Sequence, residues 1–408
     1  MARLNGFTKK QIIEVYRKMA LSRKLDDKML ILLKQGKSFF HIGASGHEGA
    51  QLAAAGMIKP GEDWSFPYYR DGAYCLGLGM TAREQLLSFL AKAADPNSGG
   101  RQMPQHYGHK DLRIVSQSSP TGTQFLQAVG CAMVCKMGKT KEVVYVSAGE
   151  GTTSQGDFHE ALNWASNAKA PVIFHIQDNE YAISTHRSEQ TASSIYDMTS
   201  GYGNLSRYDV DGTDFFETSL AFKEAVQRAR RNKGPSIIVT HVVRLLPHSS
   251  SDDQRKYRDE KSLNNDLKKD PLLILESKCV DAKFIKEDEF TKIRLQVDND
   301  VDTDSAWAEE QDFPEPVTAM DHIYSSKEYP EESTFNPVAE KIVIVDAINH
   351  ALHEEMELNE KMVIYGQDIA DPKGGVFTAT KGLSDKFGNG RVFNSPLAES
   401  SIVGTAVG

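Results

Sequence analysis

The chain has 408 residues, of which 40% are hydrophobic and 25% are charged. This balance is typical of a folded protein with a sizeable core and excludes a largely disordered chain, and the length predicts two or three domains. No apolar run reaches the roughly 18–20 residues that a membrane helix needs, so we expect no membrane association. The net charge of −9 argues against electrostatic binding of nucleic acid.

The acidic surplus lies in one segment. Residues 281–340 contain 17 acidic and 5 basic residues, a net −12, so the rest of the chain carries a net +3. We interpret this segment as a solvated connector that leaves the remainder able to accept anionic ligands. The four cysteines include no CxxC pair, and Cys131 and Cys135 share a helical face. They are expected to be buried thiols in a reducing compartment.

The predicted elements begin with a long helix over residues 5–35, where apolar residues recur at helical spacing. A loop rich in Gly and His follows at 38–49. Residues 95–123 are polar and lack periodicity, and a loop of that length within a compact domain is usually functional or disordered. Another helix is predicted over Phe125–Met137.

Strands and helices alternate from residue 142 onwards. The buried strand Val143–Val146, the helix Asp157–Asn167 and the buried strand Val172–Ile176 make a βαβ unit. Further strands are predicted at 208–210 and 236–243. The fold class that this alternation predicts is α/β, with a parallel sheet flanked by helices.

The chain divides into three predicted regions. Residues 1–270 form the α/β domain, and residues 271–337 form an acidic helical linker. A new helix–strand pattern runs over residues 338–408 and is expected to be the start of a second, similar domain. The final apolar run after Pro396 lacks a packing partner, so we expect the natural polypeptide to continue beyond Gly408.

Two strand ends of the βαβ unit carry the residues that most clearly predict a binding site. A buried strand delivers Gly149-Glu150-Gly151 at its end, and the next strand ends just before Asn179. Adjacent parallel strands place such residues side by side at the carboxyl edge of the sheet, where open α/β sheets bind ligands. The helix N-terminus that follows suits a diphosphate. A carboxylate, an amide oxygen, a carbonyl and diphosphate oxygens together predict an octahedral magnesium site.

The segment Ser147–Ser184 resembles the thiamine-diphosphate motif of 2-oxoacid dehydrogenases, in their decarboxylating component. In that motif, Gly-Asp/Glu-Gly is followed at a fixed distance by Asn-Asn or Asp-Asn. Residues 10–265 are similar to the α subunit of these enzymes. The resemblance implies the thiamine-diphosphate-binding fold.

Residues 338–408 resemble the start of the β subunit, through Gly-Gly-Val-Phe at 374–377 and Ser-Pro-Leu-Ala-Glu-Ser at 395–400. The chain is therefore identified as an α–β fusion that is truncated in its β part. Glu150, with Ser-Glu-Gln at 188–190 and His-Tyr-Gly at 106–108, is most similar to the branched-chain members.

The resemblance implies a set of cofactor ligands. Glu150, Asn179 and the Tyr181 carbonyl would hold Mg²⁺. The remaining residues expected to contact thiamine diphosphate are Tyr69, Arg70, Ser119, Thr121, Gly149, Gly151, Thr152 and Gln177. Many relatives carry Arg where Gln177 stands. The loop that includes Ser118, Pro120, Thr123 and Gln124 resembles a structural K⁺ site of some relatives.

Four residues are expected to take part in catalysis. His248 matches the histidine of the family's active-site loop, with a role in proton transfer and acyl transfer. His106 and His41 match positions that line the entrance and the substrate pocket, and His47 and His109 have weaker support. Glu399 matches the β-subunit glutamate that activates the cofactor through its pyrimidine ring.

The resemblance implies oxidative decarboxylation of a branched-chain 2-oxoacid such as 3-methyl-2-oxobutanoate, with acyl transfer to the lipoyl group of an acyltransferase partner. A homodimer and a bacterial, cytoplasmic location are expected. Three alternatives stay open: a pyruvate dehydrogenase component, an inactive scaffold that binds the cofactor, and a nicotinamide dehydrogenase. The last predicts NADH binding without dependence on thiamine diphosphate.

Overall fold

The computed structural model describes residues 2–324 and 341–408. These residues form two compact units, the first built from residues 2–316 with Val407–Gly408 and the second from residues 317–324 and 341–406. Residues 325–337 of the predicted linker and residues 338–340 at the start of the predicted second domain lie outside the described residues. No helix in the described part of the chain is long and apolar enough to cross a membrane.

The first unit combines a central sheet with eleven helices. The helices are α1 (Lys9–Lys34), α2 (Glu48–Ala55), α3 (Gly72–Leu78), α4 (Ala82–Phe89), α5 (Thr123–Met137), α6 (Gly156–Ala168), α7 (Ile195–Met198), α8 (Phe215–Arg230), α9 (Glu260–Leu267), α10 (Pro271–Asp281) and α11 (Glu287–Glu309). The strands are β1 (Arg3–Leu4), β2 (Phe7–Thr8), β3 (Trp64–Phe66), β4 (Val144–Gly149), β5 (Val172–Asp178), β6 (Tyr181–Ala182), β7 (Thr185–His186), β8 (Ser206–Asp211) and β9 (Ser236–His241).

The central sheet has five strands in the order β3-β4-β5-β9-β8, and every neighbouring pair is parallel. The predicted parallel α/β sheet is therefore confirmed. Its middle strand β5 is buried along its whole length, which explains its nearly continuous apolar sequence. Between α4 and α5 the chain forms a long loop, as the polar stretch at 95–123 indicates.

Local signals explain where the first helix begins. Thr8 accepts a hydrogen bond from the Gln11 N–H, and the Gln11 side chain accepts one from the Thr8 N–H. This capping box satisfies two backbone donors at the start of α1. Along α1, Ile12, Tyr16 and Met19 are fully buried, so the predicted apolar face is the one that packs.

The prediction of a solvated linker is wrong for residues 271–316, which are part of the first unit. Helices α10 and α11 belong to the first unit, and Phe290, Val297 and Val301 are buried in the same core cluster as α1. The ring of Phe290 meets that of Tyr16 edge-on at 4.5 Å. The acidic helix is thus part of the domain, because one of its faces is apolar.

The acidic residues of α11 are largely paired with basic residues of α1 and α4. Lys9 contacts Glu289 and Arg17 contacts Asp300, both at 2.7 Å, and further pairs join Lys24 to Asp298, Lys28 to Asp302 and Arg83 to Asp304. Residues 317–408 carry a net −7, which leaves −2 for residues 1–316. The net +3 of the residues outside 281–340 is unchanged, but the first unit includes most of the acidic segment and is not a positively charged domain.

The second unit is smaller. It contains the helices α12 (Ile344–Leu358), α13 (Leu383–Phe387) and α14 (Glu399–Val407) and a parallel pair of strands, β10 (Ile364–Gly366) and β11 (Val392–Asn394). Its core centres on Met356, Leu383 and Val392, each no more than 1% exposed. The helix–strand pattern predicted from Val338 is present in the described residues 341–408.

Candidate active site

The end of the βαβ unit forms the site. Gly149 of β4 pairs in register with Gln177 of β5, so the residues that follow them, Glu150 and Asn179, leave the sheet at the same edge. Glu150 opens a short 3-10 turn that runs to Ser154 and leads into α6. Gly151 is required there because a Cβ atom at this position would lie 2.5 Å from the Cβ atom of Ala182.

A cavity of about 300 Å³ opens at this edge of the sheet. Nine of the predicted cofactor ligands line it, together with His248. These nine are Tyr69, Arg70, Thr121, Gly149, Glu150, Gly151, Thr152, Asn179 and Tyr181. Residues that lie far apart in the sequence, on the loop before α3, the loop before α5 and the ends of β4 and β5, therefore converge on one space.

Glu150 has an unusual environment within this cavity. It is 3% exposed, and its Oε2 accepts a hydrogen bond from the Asn179 backbone N–H at 3.4 Å. Its Oε1 has no partner among the described residues. Burial, and next the charge of Asp178, raise the pKa of Glu150 to about 7. A buried carboxylate with an unsatisfied oxygen at a polar cavity is well suited to bind a cation.

No group of three or more His, Cys, Asp or Glu side chains with metal-binding geometry occurs in residues 2–324 and 341–408. A cation bound by Glu150, the Asn179 side chain and the Tyr181 carbonyl would therefore need further oxygens from a ligand. That donor set, with one carboxylate and neutral oxygens, suits Mg²⁺ bound together with a diphosphate.

Arg70 and His248 are held together at the rim of the cavity. Arg70 is 2% exposed, and its Nη1 donates to the Gly43 carbonyl at 2.6 Å. Its Nη2 donates to Nδ1 of His248 at 3.4 Å and to the His248 carbonyl at 3.3 Å. Because a guanidinium can only donate, Nδ1 of His248 is an acceptor and the proton of the neutral ring is on Nε2.

The charge state of His248 is set by its surroundings. Burial, followed by the positive charges of Arg70 and Arg244, lowers the pKa of His248 to about 3. Its backbone N–H donates to Asp252 at 2.8 Å, and its ring meets the Tyr69 ring at 5.9 Å. The imidazole is thus neutral and fixed in orientation at the cavity.

Gln177 was predicted to contact the cofactor, but its side chain lies outside the cavity. It is fully buried and does not line the cavity. Its Nε2 donates to Asp71 at 2.6 Å, and its Oε1 lies 2.9 Å from Nδ1 of His47 and accepts from Gln51 at 2.9 Å. The Tyr68 hydroxyl also donates to Oε1 at 3.3 Å. These four partners occupy the side-chain amide of Gln177, whereas a direct ligand of the diphosphate would need to reach the cavity.

Three other predicted residues also lie outside the cavity lining. Ser119 is bonded to His106, whose Nε2 is 2.7 Å from the Ser119 Oγ. His41 is 2% exposed, with Nε2 3.1 Å from a carboxylate oxygen of Asp26, so its ring is enclosed in protein. Its backbone carbonyl accepts from the Ser250 N–H at 2.8 Å, which ties it to the loop of His248.

The residues of the predicted K⁺ loop are hydrogen-bonded to one another and to β4. The hydroxyls of Ser118 and Thr123 are hydrogen-bonded to each other, and the Thr123 hydroxyl donates to the Pro120 carbonyl at 3.1 Å. The Gln124 amide donates to the Ser147 carbonyl at 3.1 Å. The loop is therefore anchored on β4, beside the cavity-lining Thr121.

Glu399 lies in the second unit, as the first residue of α14. It is exposed, and the side chain of Gln367, followed by the helix N-terminal backbone, lowers the pKa of Glu399. It is thus ionised in the unit as described.

Sequence reasoning missed several cavity residues. Tyr68, Gln155, Ala182 and Ile183 also line the cavity. Tyr68 adjoins the predicted Tyr69 and could have been included on that ground. The other three follow motif residues but carry no distinctive chemistry, so no sequence signal marks them.

The comparisons with known proteins agree with this geometry. Residues 16–317 match the family described as the dehydrogenase E1 component, and residues 340–408 match the pyrimidine-binding domain of transketolase. The 2-oxoisovalerate dehydrogenase subunit alpha of Bacillus subtilis is 41% identical over 321 residues, which cover 78% of this chain and 97% of that protein. The human mitochondrial 2-oxoisovalerate dehydrogenase subunit alpha is 33% identical over 324 residues, 78% of this chain and 71% of the relative.

A pyruvate dehydrogenase subunit is also similar. The E1 component subunit alpha from Staphylococcus aureus is 34% identical over 267 residues, which cover 65% of this chain and 69% of that protein. The predicted resemblance and the prediction of a thiamine-diphosphate-dependent 2-oxoacid dehydrogenase enzyme are confirmed. The chain belongs to the dehydrogenase E1 component family and continues into a segment that matches the pyrimidine-binding domain of transketolase.

Proposed function

We propose that this protein decarboxylates a branched-chain 2-oxoacid, such as 3-methyl-2-oxobutanoate, and transfers the acyl group to the lipoyl arm of an acyltransferase partner. The observation that carries the proposal is the cavity at the edge of the sheet, where Glu150 presents an unsatisfied buried oxygen next to Asn179. The branched-chain substrate is supported by the alpha subunits from Bacillus subtilis and human, which match a larger share of this chain than the pyruvate dehydrogenase subunit does.

The residues present fit thiamine diphosphate and Mg²⁺. Glu150, the Asn179 side chain and the Tyr181 carbonyl would hold the metal, and Tyr69, Arg70 and the backbone around Gly151 would face the diphosphate. When bound, the thiazolium ring supplies an electron sink for the bond between the carboxylate and the oxo carbon. A bound cation would also favour the ionised form of Glu150, whose pKa burial otherwise raises to about 7.

The protein's own residues supply positioning and proton handling. His248 carries its ring proton on Nε2, so it can donate a hydrogen bond to the oxygen of a 2-oxoacid in the cavity. Arg70 keeps this tautomer in place, because its Nη2 occupies the other ring nitrogen. Glu399 would contact the pyrimidine ring of thiamine diphosphate. Ser119 would contact the same ring, because it lies on one loop with the cavity-lining Thr121.

Two further elements belong to the proposal. A K⁺ ion would be bound by the loop of Ser118, Pro120, Thr123 and Gln124, in which Thr123 is hydrogen-bonded to both Ser118 and Pro120. A homodimer is supported by apolar side chains of the second unit that are more than two-thirds exposed, among them Ile344, Phe377 and Leu397. The cytoplasmic location stays a prediction.

The test is a comparison of substrates with the full polypeptide. Reduction of an artificial dye is followed with 3-methyl-2-oxobutanoate and with pyruvate, each with and without thiamine diphosphate and Mg²⁺. We expect the higher kcat/KM for the branched-chain substrate and no activity without the cofactor. Glu399→Gln should abolish turnover but retain cofactor binding in calorimetry. A preference for pyruvate would support the other dehydrogenase, and binding without any turnover would indicate an inactive scaffold.

A further inference from the structure

A continuous chain of hydrogen bonds runs from α2 through the buried end of β5 to the cavity. Gln51 of α2 bonds to Gln177, Gln177 faces His47, and Nε2 of His47 lies 3.4 Å from Nδ2 of Asn179. Gln51, Gln177 and His47 are each fully buried. None of these three side chains was expected to interact with Asn179, and together they form the layer directly behind a predicted metal ligand.

Backbone contacts of Gln51 determine which atom donates and which accepts in each hydrogen bond of this chain. The Gln51 oxygen accepts from the Ala73 N–H at 3.1 Å, and its NH₂ group donates to the Arg70 carbonyl at 3.0 Å. The Gln51 amide therefore has one orientation, and its NH₂ group also faces Gln177. The side-chain oxygen of Gln177 must be the atom that accepts this bond.

The tautomer of His47 follows from the same logic. The Gln177 oxygen lies 2.9 Å from Nδ1 of His47, so Nδ1 must carry a hydrogen. The Tyr181 N–H donates to Oδ1 of Asn179 at 3.2 Å, so the NH₂ group of Asn179 is the one that lies 3.4 Å from Nε2 of His47. Because an NH₂ group can only donate, Nε2 is the bare ring nitrogen and accepts this hydrogen bond.

We infer that His47 is a positioning residue that fixes the side-chain amide of Asn179, so that the Asn179 oxygen, and not its NH₂ group, faces the cation. The Tyr181 N–H, which donates to the same oxygen at 3.2 Å, leaves a second lone pair on that oxygen free for a metal. This inference rests on the proposed function, since it assigns His47 a role toward Mg²⁺ in that site. Residues behind the ligands of a metal commonly set its affinity in this way.

The experiment measures divalent-cation affinity directly. Free Mn²⁺ is quantified by electron paramagnetic resonance during titration of the full polypeptide with thiamine diphosphate present. His47→Leu removes both hydrogen bonds and should weaken Mn²⁺ binding by about 10- to 100-fold. His47→Gln keeps a donor and an acceptor and should stay within about threefold of the wild type, on the same reasoning.

A matched control separates positioning from packing. His175 is also fully buried and hydrogen-bonded at both ring nitrogens, to Tyr145 at 2.8 Å and to Thr240 at 2.9 Å, but it does not contact Asn179. His175→Leu should lower the thermal unfolding midpoint without changing Mn²⁺ affinity. If His47→Leu does not fold, Gln177→Leu provides the second disruption, since it deletes the acceptor that fixes the His47 tautomer.

A double substitution tests the orientation argument itself. Asn179→Asp places a carboxylate with two equivalent oxygens at the site, so there is no amide left to orient. In that background His47→Leu should no longer weaken Mn²⁺ binding, whereas a packing role predicts additive losses.

Unchanged Mn²⁺ affinity in His47→Leu, or additive losses in the double variant, would overturn the inference while leaving the proposed function intact. Failure of the wild type to bind Mn²⁺ with thiamine diphosphate would overturn both.

Discussion

Phe290→Ala tests whether α11 is part of the first unit or a linker. The Phe290 ring is fully buried in the α1 core and meets Tyr16 edge-on. Truncation of a fully buried Phe costs about 3–5 kcal/mol, which includes the lost aromatic contact. For a chain whose stability is on the order of 5–15 kcal/mol, this is a large share of the total.

The measurement is guanidinium denaturation followed by tryptophan fluorescence. The three tryptophans, Trp64, Trp164 and Trp307, all lie in the first unit, so the signal reports its unfolding. The matched control is Leu295→Ala, because Leu295 is in the same helix and 60% exposed, and it should cost less than about 0.5 kcal/mol. If both variants unfold at the wild-type midpoint, α11 does not stabilise the domain and the reasoning fails.

Two further predictions concern buried carboxylates. Burial raises the pKa of Asp71 from 3.8 to about 7, so the unfolded chain releases this proton at lower pH than the folded one. The free energy of unfolding should therefore fall by up to about 4 kcal/mol between pH 4 and pH 7. Asp71→Asn should remove this loss, so in denaturation at pH 5 and pH 8 the variant should be more stable than the wild type at pH 8. An unchanged dependence of stability on pH in the variant would contradict the prediction. Asp63 is fully buried and accepts from Arg230 at 2.9 Å and from the Val143 N–H at 2.9 Å. Asp63→Ala should destabilise the protein by about 3–5 kcal/mol in urea denaturation, whereas the exposed pair of Asp253 and Arg255 should tolerate Asp253→Ala with no measurable loss.

The sequence was sufficient to predict the core of the site, because strand ends in a βαβ unit have few alternative positions. Glu150 and Asn179 meet at the sheet edge for that reason. It was insufficient for Gln177, whose side chain direction depends on where α2 packs against β5. No local pattern reports that the Gln177 amide would be occupied by His47 and Gln51.

The prediction of a solvated linker was wrong for α11, although the sequence of this helix contains an apolar face. Phe290, Val297, Val301 and Ala308 recur at spacings of seven and four, which is a helical stripe. The high density of acidic residues concealed this stripe, since charge counts say nothing about which face is apolar. The pairing of those acids with Lys and Arg of α1 depends on a tertiary contact that the local sequence does not encode.

The packing of α1 against α11 has a consequence for biosynthesis. Tyr16 and Phe290, whose rings touch, are 274 residues apart in the chain, so the core around α1 is closed by one of the last helices of the first unit. During translation α1 emerges early and must wait, with Ile12, Tyr16 and Met19 exposed, until α11 has left the ribosome. At about 5–20 residues per second this interval lasts on the order of 15–60 s, during which the nascent chain presents an apolar helix face that chaperones can bind.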